Sequence, residues 1–266
     1  MYVLGIIGSD TAELVEALST RLTERGRVAT ITARRDLSKS HSEHHGTEAP
    51  TSYELSEKRW VATGTDRTLA ETLDELAPTH DYVLVTGFDD AAIPQVVLGG
   101  NDYDGKALTT AENADEIDIE KLTAALESTE PYITLGSLVR RAKNSPRADR
   151  AGAIATFTGR VREKDSPEDS PTELLEFETY EGVAEQRFAR IREELEAREG
   201  VYEVLMHHRT GILESGADIV FVVVLAGHRE EAFRTVEDGI NRLKDEVPIF
   251  KKEVTGNEEF WVHTRV

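Results

Sequence analysis

The chain has 266 residues, room for two modest domains, and sets 31 Lys plus Arg against 51 Asp plus Glu, a formal charge of −20 at pH 7. A surface this acidic repels nucleic acid and anionic membrane on average, so any anionic substrate must meet a local basic patch. The absence of cysteine excludes disulfides, thiolate catalysis, cysteine-ligated zinc and iron–sulfur clusters.

The opening MYVLGIIGSD has no basic segment followed by a long apolar run, so no secretory signal is expected, and no stretch approaches the roughly eighteen apolar residues of a membrane span. With the missing cysteine, this points to a cytoplasmic protein. Residues 2–7, YVLGII, form a short buried strand, and Gly8, Ser9 and Asp10 turn into a helix from about Thr11 to Arg25. Leu14, Leu18 and Leu22 make its apolar stripe, and Gly26 is placed to cap its C-terminus. Val28–Thr32 is a second strand, giving the βαβ opening of a doubly wound parallel sheet. A polar loop follows to Thr51. Its HSEHH at 41–45 brings three imidazoles close together, but with no fourth ligand or rigid scaffold in view a solvated loop is the better reading than a metal site. Strands are predicted over Trp60–Gly64, Tyr82–Val85 and Ile93–Leu98, and helices over Leu69–Leu76 and 118–126.

The composition changes at 127–131, ESTEP, which divides the chain into domains 1–129 and 130–266. A helix over Leu135–Ala142 and a polar loop lead to a strand, Ala153–Val161, that runs into Arg160 and Arg162. These arginines point the same way if the strand stays regular. Residues 163–172, EKDSPEDSPT, read as a mobile surface loop. Leu174–Tyr180 alternates as a strand with Leu175, Phe177 and Thr179 on one face; Gly182 breaks it, and the helix that follows to Arg198 carries the stripe Ala184, Phe188, Ile191 and Leu195, closed by Gly200. Strands follow at Tyr202–His208 and Asp218–Leu225. The second, IVFVVVL, has no polar face and must be covered on both sides, by helices, another sheet or a second subunit. A helix then carries Phe233, Val236, Ile240 and Leu243 as one stripe and ends before Pro248, and Glu259–His263 is the last strand. The whole is α/β followed by α+β: a P-loop-like parallel-sheet domain, then one whose sheet is mainly antiparallel.

Nine lysines occur in the chain, and three of them, Lys244, Lys251 and Lys252, fall within LKDEVPIFKKE at 243–253. A turn at Pro248 can bring Lys244 and Lys251 to one spot, where paired cations lower each other's pKa and suit acid, base or nucleophilic work. On spacing alone the alternative, cations complementing a helix dipole, stays open.

GAIATFTGRVRE at 152–163, HHRTG at 207–211, GHREEAF at 227–233, LKDEVPIFKKE and the terminal WVHTR occur in this order, and together they resemble the large, catalytic (MoaE-type) subunit of molybdopterin synthase over roughly Tyr132–Val266. The resemblance implies an α/β hammerhead-type fold and insertion of two sulfurs into cyclic pyranopterin monophosphate, precursor Z, without a metal or other cofactor. A small ubiquitin-like partner brings the sulfur as a thiocarboxylate on its C-terminal Gly-Gly tail. The assembly implied is a homodimer of large subunits within a heterotetramer. Lys244 would be the general acid/base or the amine nearest the transferred sulfur, and Lys251 would stabilise developing negative charge. Arg160, Val161, Arg162, His228 and Arg229 would bind the anionic substrate, Lys252 and Glu253 would line the pocket, and Arg265 would close it, often from the neighbouring subunit. His207, His208 and Arg209 are read as structural, and Phe157 as pocket wall.

The first half resembles the MobB-type protein of molybdopterin–guanine dinucleotide biosynthesis through its opening strand–turn–helix, SYEL at 52–55 and YVLVTGF at 82–88. It departs where phosphate would sit. A P-loop needs GxxxxGK[ST], and here Asp10, Thr11 and Ala12 replace the second glycine, the lysine and the hydroxyl residue, while Thr86 stands in place of the family's acid. The domain is therefore read as a degenerate nucleotide-binding domain. The alternative to an enzyme is an adaptor that binds molybdopterin or its guanine dinucleotide, with a non-catalytic C-terminal domain. The acidity and the few lysines also resemble proteins adapted to high salt.

Overall fold

The computed structural model describes residues 1–34, 51–100, 103, 105–164, 166, 170–180 and 182–255, with backbone alone for Glu259–Val262. The imidazole loop at 41–45 lies outside the described residues, as do four positions of the 163–172 loop. Contacts divide the chain into two compact units, Met1–Tyr132 and Ile133–Val266.

The first unit is built on β1 (Tyr2–Ile7), α1 (Thr11–Thr23), β2 (Val28–Thr32), β3 (Ser52–Leu55), β4 (Trp60–Thr63), α2 (Leu69–Leu76), β5 (Tyr82–Thr86), β6 (Gln95–Leu98), β7 (Thr109–Ala111) and α3 (Ile119–Glu127). Five strands form a parallel sheet in the order β2-β5-β1-β6-β7. Leu14, Leu18 and Leu22 of α1, with Leu122 and Leu126 of α3, pack on Leu4, Ile6, Leu84, Val96 and Leu98. Leu73 of α2 covers Val3, Val83 and Val85 on the opposite face. Both faces are dry, which is why these strands read as unbroken apolar runs.

Three expectations change here. Trp60–Thr63 does not join the sheet but pairs with Ser52–Leu55 in a separate antiparallel hairpin, with Tyr53, Leu55 and Trp60 exposed. The short β7 lacked an apolar run long enough to be seen. Gly26 is not a left-handed cap: it is absent from the positive-φ glycines, and a Cβ there would lie 2.5 Å from the Asp81 carboxylate, which accepts from the Arg27 N–H. Gly5, first glycine of the P-loop pattern, is likewise a packing requirement, since a Cβ would collide with the buried amide of Gln95. Asp10 stands at the N-terminus of α1 in the left-handed region (φ 57°) with no capping hydrogen bond from its side chain.

The second unit contains α4 (Leu135–Lys143), β8 (Ala153–Arg160), β9 (Thr172–Thr179), α5 (Val183–Glu196), β10 (Val201–His208), β11 (Gly211–Glu214), β12 (Asp218–Ala226), α6 (Arg229–Glu246), β13 (Ile249–Thr255) and β14 (Glu259–Val262). Its two sheets, β10-β12-β8 and β11-β9-β13-β14, are antiparallel throughout. The apolar strand is β12, the centre of the first sheet. Phe221, Val223 and Leu225 pack on Leu138 and Ala142 of α4, while Val220, Val222 and Val224 pack on Ile191 and Leu195 of α5 and Val236, Ile240 and Leu243 of α6. The unit covers β12 with its own helices, so the apolarity of that strand does not call for a second subunit. The predicted stripe of α6 also shifts. Val236, Ile240 and Leu243 are buried as expected, but Phe233 is 66% exposed, and Ala232, Thr235 and Gly239 share the buried side in its place. Gly239 lets the helix close on β12: a Cβ there would sit 3.1 Å from Val222 Cγ1.

Candidate active site

Pro248 sets the geometry of the lysine-rich stretch. It pushes Val247 into extended conformation (φ −91°, ψ 124°), α6 stops at Glu246, and the chain re-enters as β13. β13 pairs with β9 so that Lys251 lies opposite Phe177 and Glu253 opposite Leu175. Leu175 and Phe177 are buried with Val161 in a small apolar cluster that Ile249 also joins. Strand alternation therefore turns Ile249, Lys251 and Glu253 inward and Phe250, Lys252 and Val254 outward.

On the inner face the Lys251 ammonium lies 3.2 Å from Glu253 Oε2, and the hydroxyl of Thr172 donates to Glu253 Oε1. Thr172 is 6% exposed and stands at the start of β9. Burial pushes the Glu253 carboxyl up, but the Thr172 hydrogen bond and the Lys251 ammonium outweigh it and hold the group below its ordinary value. On the outer face Lys252 lies 3.5 Å from Glu176 Oε2, and Tyr180 and Phe250 meet edge-on at 5.3 Å. Both β13 lysines thus face carboxylates. The ion-pair partner of Lys251 is Glu253, two residues along the same strand. Sequence reasoning missed Thr172 and Glu176, because cross-strand register is invisible before pairing is known. The signal present was a Lys and a Glu two apart in a strand.

The other candidate residues fall in three places. Lys244 is exposed on the last turn of α6 and makes no ion pair with another described residue. His228 is the extended N-cap of α6 and Arg229 its first residue, both exposed. Arg160 ends β8, so the regular strand that would align it with Arg162 stops two residues short of it. Its guanidinium donates twice to Gly216 O (3.1 and 2.7 Å) and lies 3.6 Å from Asp218 Oδ1. Val161 follows with its N–H on Ala217 O (2.8 Å), its carbonyl on the Gly216 N–H (3.0 Å) and its side chain 2% exposed, in the same cluster as Phe177. It is core beneath the lysine strand rather than open pocket lining. Arg265 lies outside the described residues. A hollow of about 270 Å³ lined by Lys143, Ala148, Gly152 and Ile154 includes none of the candidates.

His207 and His208 close β10. His208 donates from Nδ1 to Arg209 O (2.7 Å) and meets Phe177 edge-on at 4.9 Å, and His207 stacks on Phe221 at 6.4 Å. Burial drives both imidazoles down to about 4, so they are neutral at pH 7 and hold packing rather than anions. Arg209 reaches the carbonyls of Asp218 (3.4 Å) and Ile133 (3.3 Å). This agrees with the structural role expected of the HHR run.

A family model described as "MoaE protein" matches residues 128–246. A "Probable molybdopterin synthase" from Haloferax volcanii is 55% identical over 267 residues, covering 100% of each chain. The "Molybdopterin synthase catalytic subunit" of Pyrococcus abyssi is 38% identical over 111 residues, which is 42% of this chain and 74% of that one. Among solved structures, MobB from Bacillus subtilis is similar to 48% of this chain and 100% of its own, at 13% identity and a TM-score of 0.37. No helix among the described residues is long and apolar enough to cross a membrane.

Proposed function

The chain belongs to the molybdopterin synthase family, and from that premise we propose that its second unit inserts two sulfurs into cyclic pyranopterin monophosphate to make the dithiolene of molybdopterin. The sulfur arrives as a thiocarboxylate on the C-terminal Gly-Gly tail of a small ubiquitin-like partner. That tail is an extended strand and suits a narrow groove ending at the lysines. The observation that carries this reading is the inner face of β13, where the Lys251 ammonium is held 3.2 Å from Glu253 above an apolar floor of Leu175, Phe177 and Val161.

The chemistry follows from charge. Substrate and donor are both anions and the protein is acidic, so attraction must be local. Lys251 stabilises negative charge as sulfur leaves the acyl carbon. Lys244, exposed and unpaired among the described residues, is available as acid/base, or as an amine that takes the activated acyl end transiently. His228 and Arg229 open α6, where backbone N–H groups add to their charge toward a phosphate. Arg162 and Lys252 add cationic surface, and Glu253 orients Lys251. Arg265 closes the pocket, from its own or a neighbouring subunit in a dimer of large subunits. The first unit, without the P-loop lysine, is a degenerate nucleotide domain that takes no part in the sulfur step. The experiment is direct. Mixing the protein with precursor Z and thiocarboxylated partner yields molybdopterin, and no product from folded components would reject the proposal.

A further inference from the structure

The hydrogen bond from Thr172 has a role that packing does not require. A fully covered threonine at the start of a strand commonly returns its hydroxyl to a nearby main-chain carbonyl. Here the Thr172 N–H donates to Glu163 O at 2.7 Å, and the hydroxyl goes across the sheet to one oxygen of Glu253. The other oxygen receives the Lys251 ammonium. A carboxylate accepts at either oxygen and turns about its last bond, and an ammonium on a four-carbon stem follows it. Pinning Oε1 leaves Oε2 as the one oxygen facing Lys251, and so places Nζ. The three residues come from two neighbouring strands, and β9–β13 pairing brings them together.

We propose that Thr172 is a positioning residue for the sulfur-transfer reaction, acting through Glu253 to set where the Lys251 ammonium stands. This rests on the reading of Lys251 as a catalytic residue. Lys251 must meet a negative charge that develops at one place, and a charged group held in advance needs no reorganisation when that charge appears. Without the hydroxyl, Glu253 can take Lys251 with either oxygen or turn away, and the ammonium spreads over several positions. Binding of the ground-state substrate changes little, because the charge stays in the pocket. The step that needs the charge in one place slows.

Three variants and one spectroscopic measurement test this in the full chain. Thr172→Val keeps the shape and removes the hydroxyl, Thr172→Ser keeps the hydroxyl, and Glu253→Gln removes the charge through which Thr172 acts. The expected result is a kcat about tenfold or more lower for Thr172→Val with KM within about twofold, on the scale of a hydrogen bond to a charged group. Thr172→Ser restores turnover to within about threefold. Thr172→Val adds little to the loss already caused by Glu253→Gln, since both remove one interaction. The carboxyl carbon resonance of Glu253 moves in Thr172→Val and not in Thr172→Ser. Wild-type turnover in Thr172→Val, no rescue by serine, full additivity with Glu253→Gln, or an unmoved Glu253 resonance would each overturn the inference. If the wild-type protein makes no molybdopterin the proposed function falls instead, and the Glu253 resonance alone decides whether Thr172 holds the pair.

Discussion

Acidification tests the packing of β10 against β9 and β12. His207 and His208 are held neutral by burial, down to about 4 from an ordinary 6.5. Their folded-state affinity for protons is thus below that of the unfolded chain, so stability is fully present above pH 6.5 and is lost as the pH falls from 6.5 toward 4. Near pH 5.5 an unfolded imidazole holds about 0.9 proton and the folded one almost none, which makes the slope about 1.2 kcal/mol per pH unit for each histidine and at most about 2.4 for both. The rings keep some solvent contact and neighbour each other, so these are ceilings. The carboxylates with depressed values, Glu71, Asp118, Glu127 and Glu253 among them, lose their stabilisation mainly as the pH falls below about 4.5, so measurements between pH 7 and 5 report chiefly the histidines. The assay is urea unfolding from pH 7 to 5 at constant salt. Trp60→Phe, at an exposed hairpin site, leaves Trp261 as the single tryptophan to report the second unit. His208→Gln should roughly halve the slope whatever it does to stability at pH 7. A wild-type slope near zero, or a slope untouched by both His207→Gln and His208→Gln, would refute the reasoning.

Other expectations are simpler to check. Lys244→Ala and Lys251→Ala each remove most molybdopterin formation without unfolding the protein, as circular dichroism will check, and Lys251→Arg rescues poorly because the fork cannot replace a compact ammonium. Val222→Ala, at a fully buried position between β12 and α6, costs about 2–3 kcal/mol in urea unfolding through lost burial plus a cavity. A cost under about 0.5 kcal/mol would mean that α6 does not close on β12 as described. Raising salt from low to about 1 M stabilises the protein, since screening over about 3 Å relieves the self-repulsion of a −20 chain, and salt-independent unfolding would remove that account. Calorimetry with Mg-ATP or Mg-GTP shows no heat at sub-millimolar concentration, because Asp10 and Thr11 stand where a P-loop carries glycine and lysine.

Most helices and strands were legible because periodicity is a local property. Leu14, Leu18 and Leu22 declare one helical face, the run from Ile219 to Leu225 declares a strand dry on both sides, and Pro248 ends α6 where its ring requires. The motifs from 152 onward carried the family in the same way, as residue order alone. What covers a face, and which side chain meets which, depends on rotations and registers that the order does not contain. Phe233 fits a three-four repeat and is still 66% exposed, while Val236, Ile240 and Leu243 of the same repeat are buried and Gly239 lies against Val222. IVFVVVL announced that both sides were covered, but only the tertiary structure decided between a second subunit and α4, α5 and α6. Arg160 and Val161 were chosen from one motif, and the turn at Gly216 separated them, engaging the first at the surface and sealing the second in the core. The placing of Lys251 beside Glu253 and Thr172 is of the same kind. Residues 172 and 253 become neighbours through the register of β9 against β13, and that register is set by burial of Leu175, Phe177 and Ile249 together, a sum over contacts distant in sequence that no local pattern records.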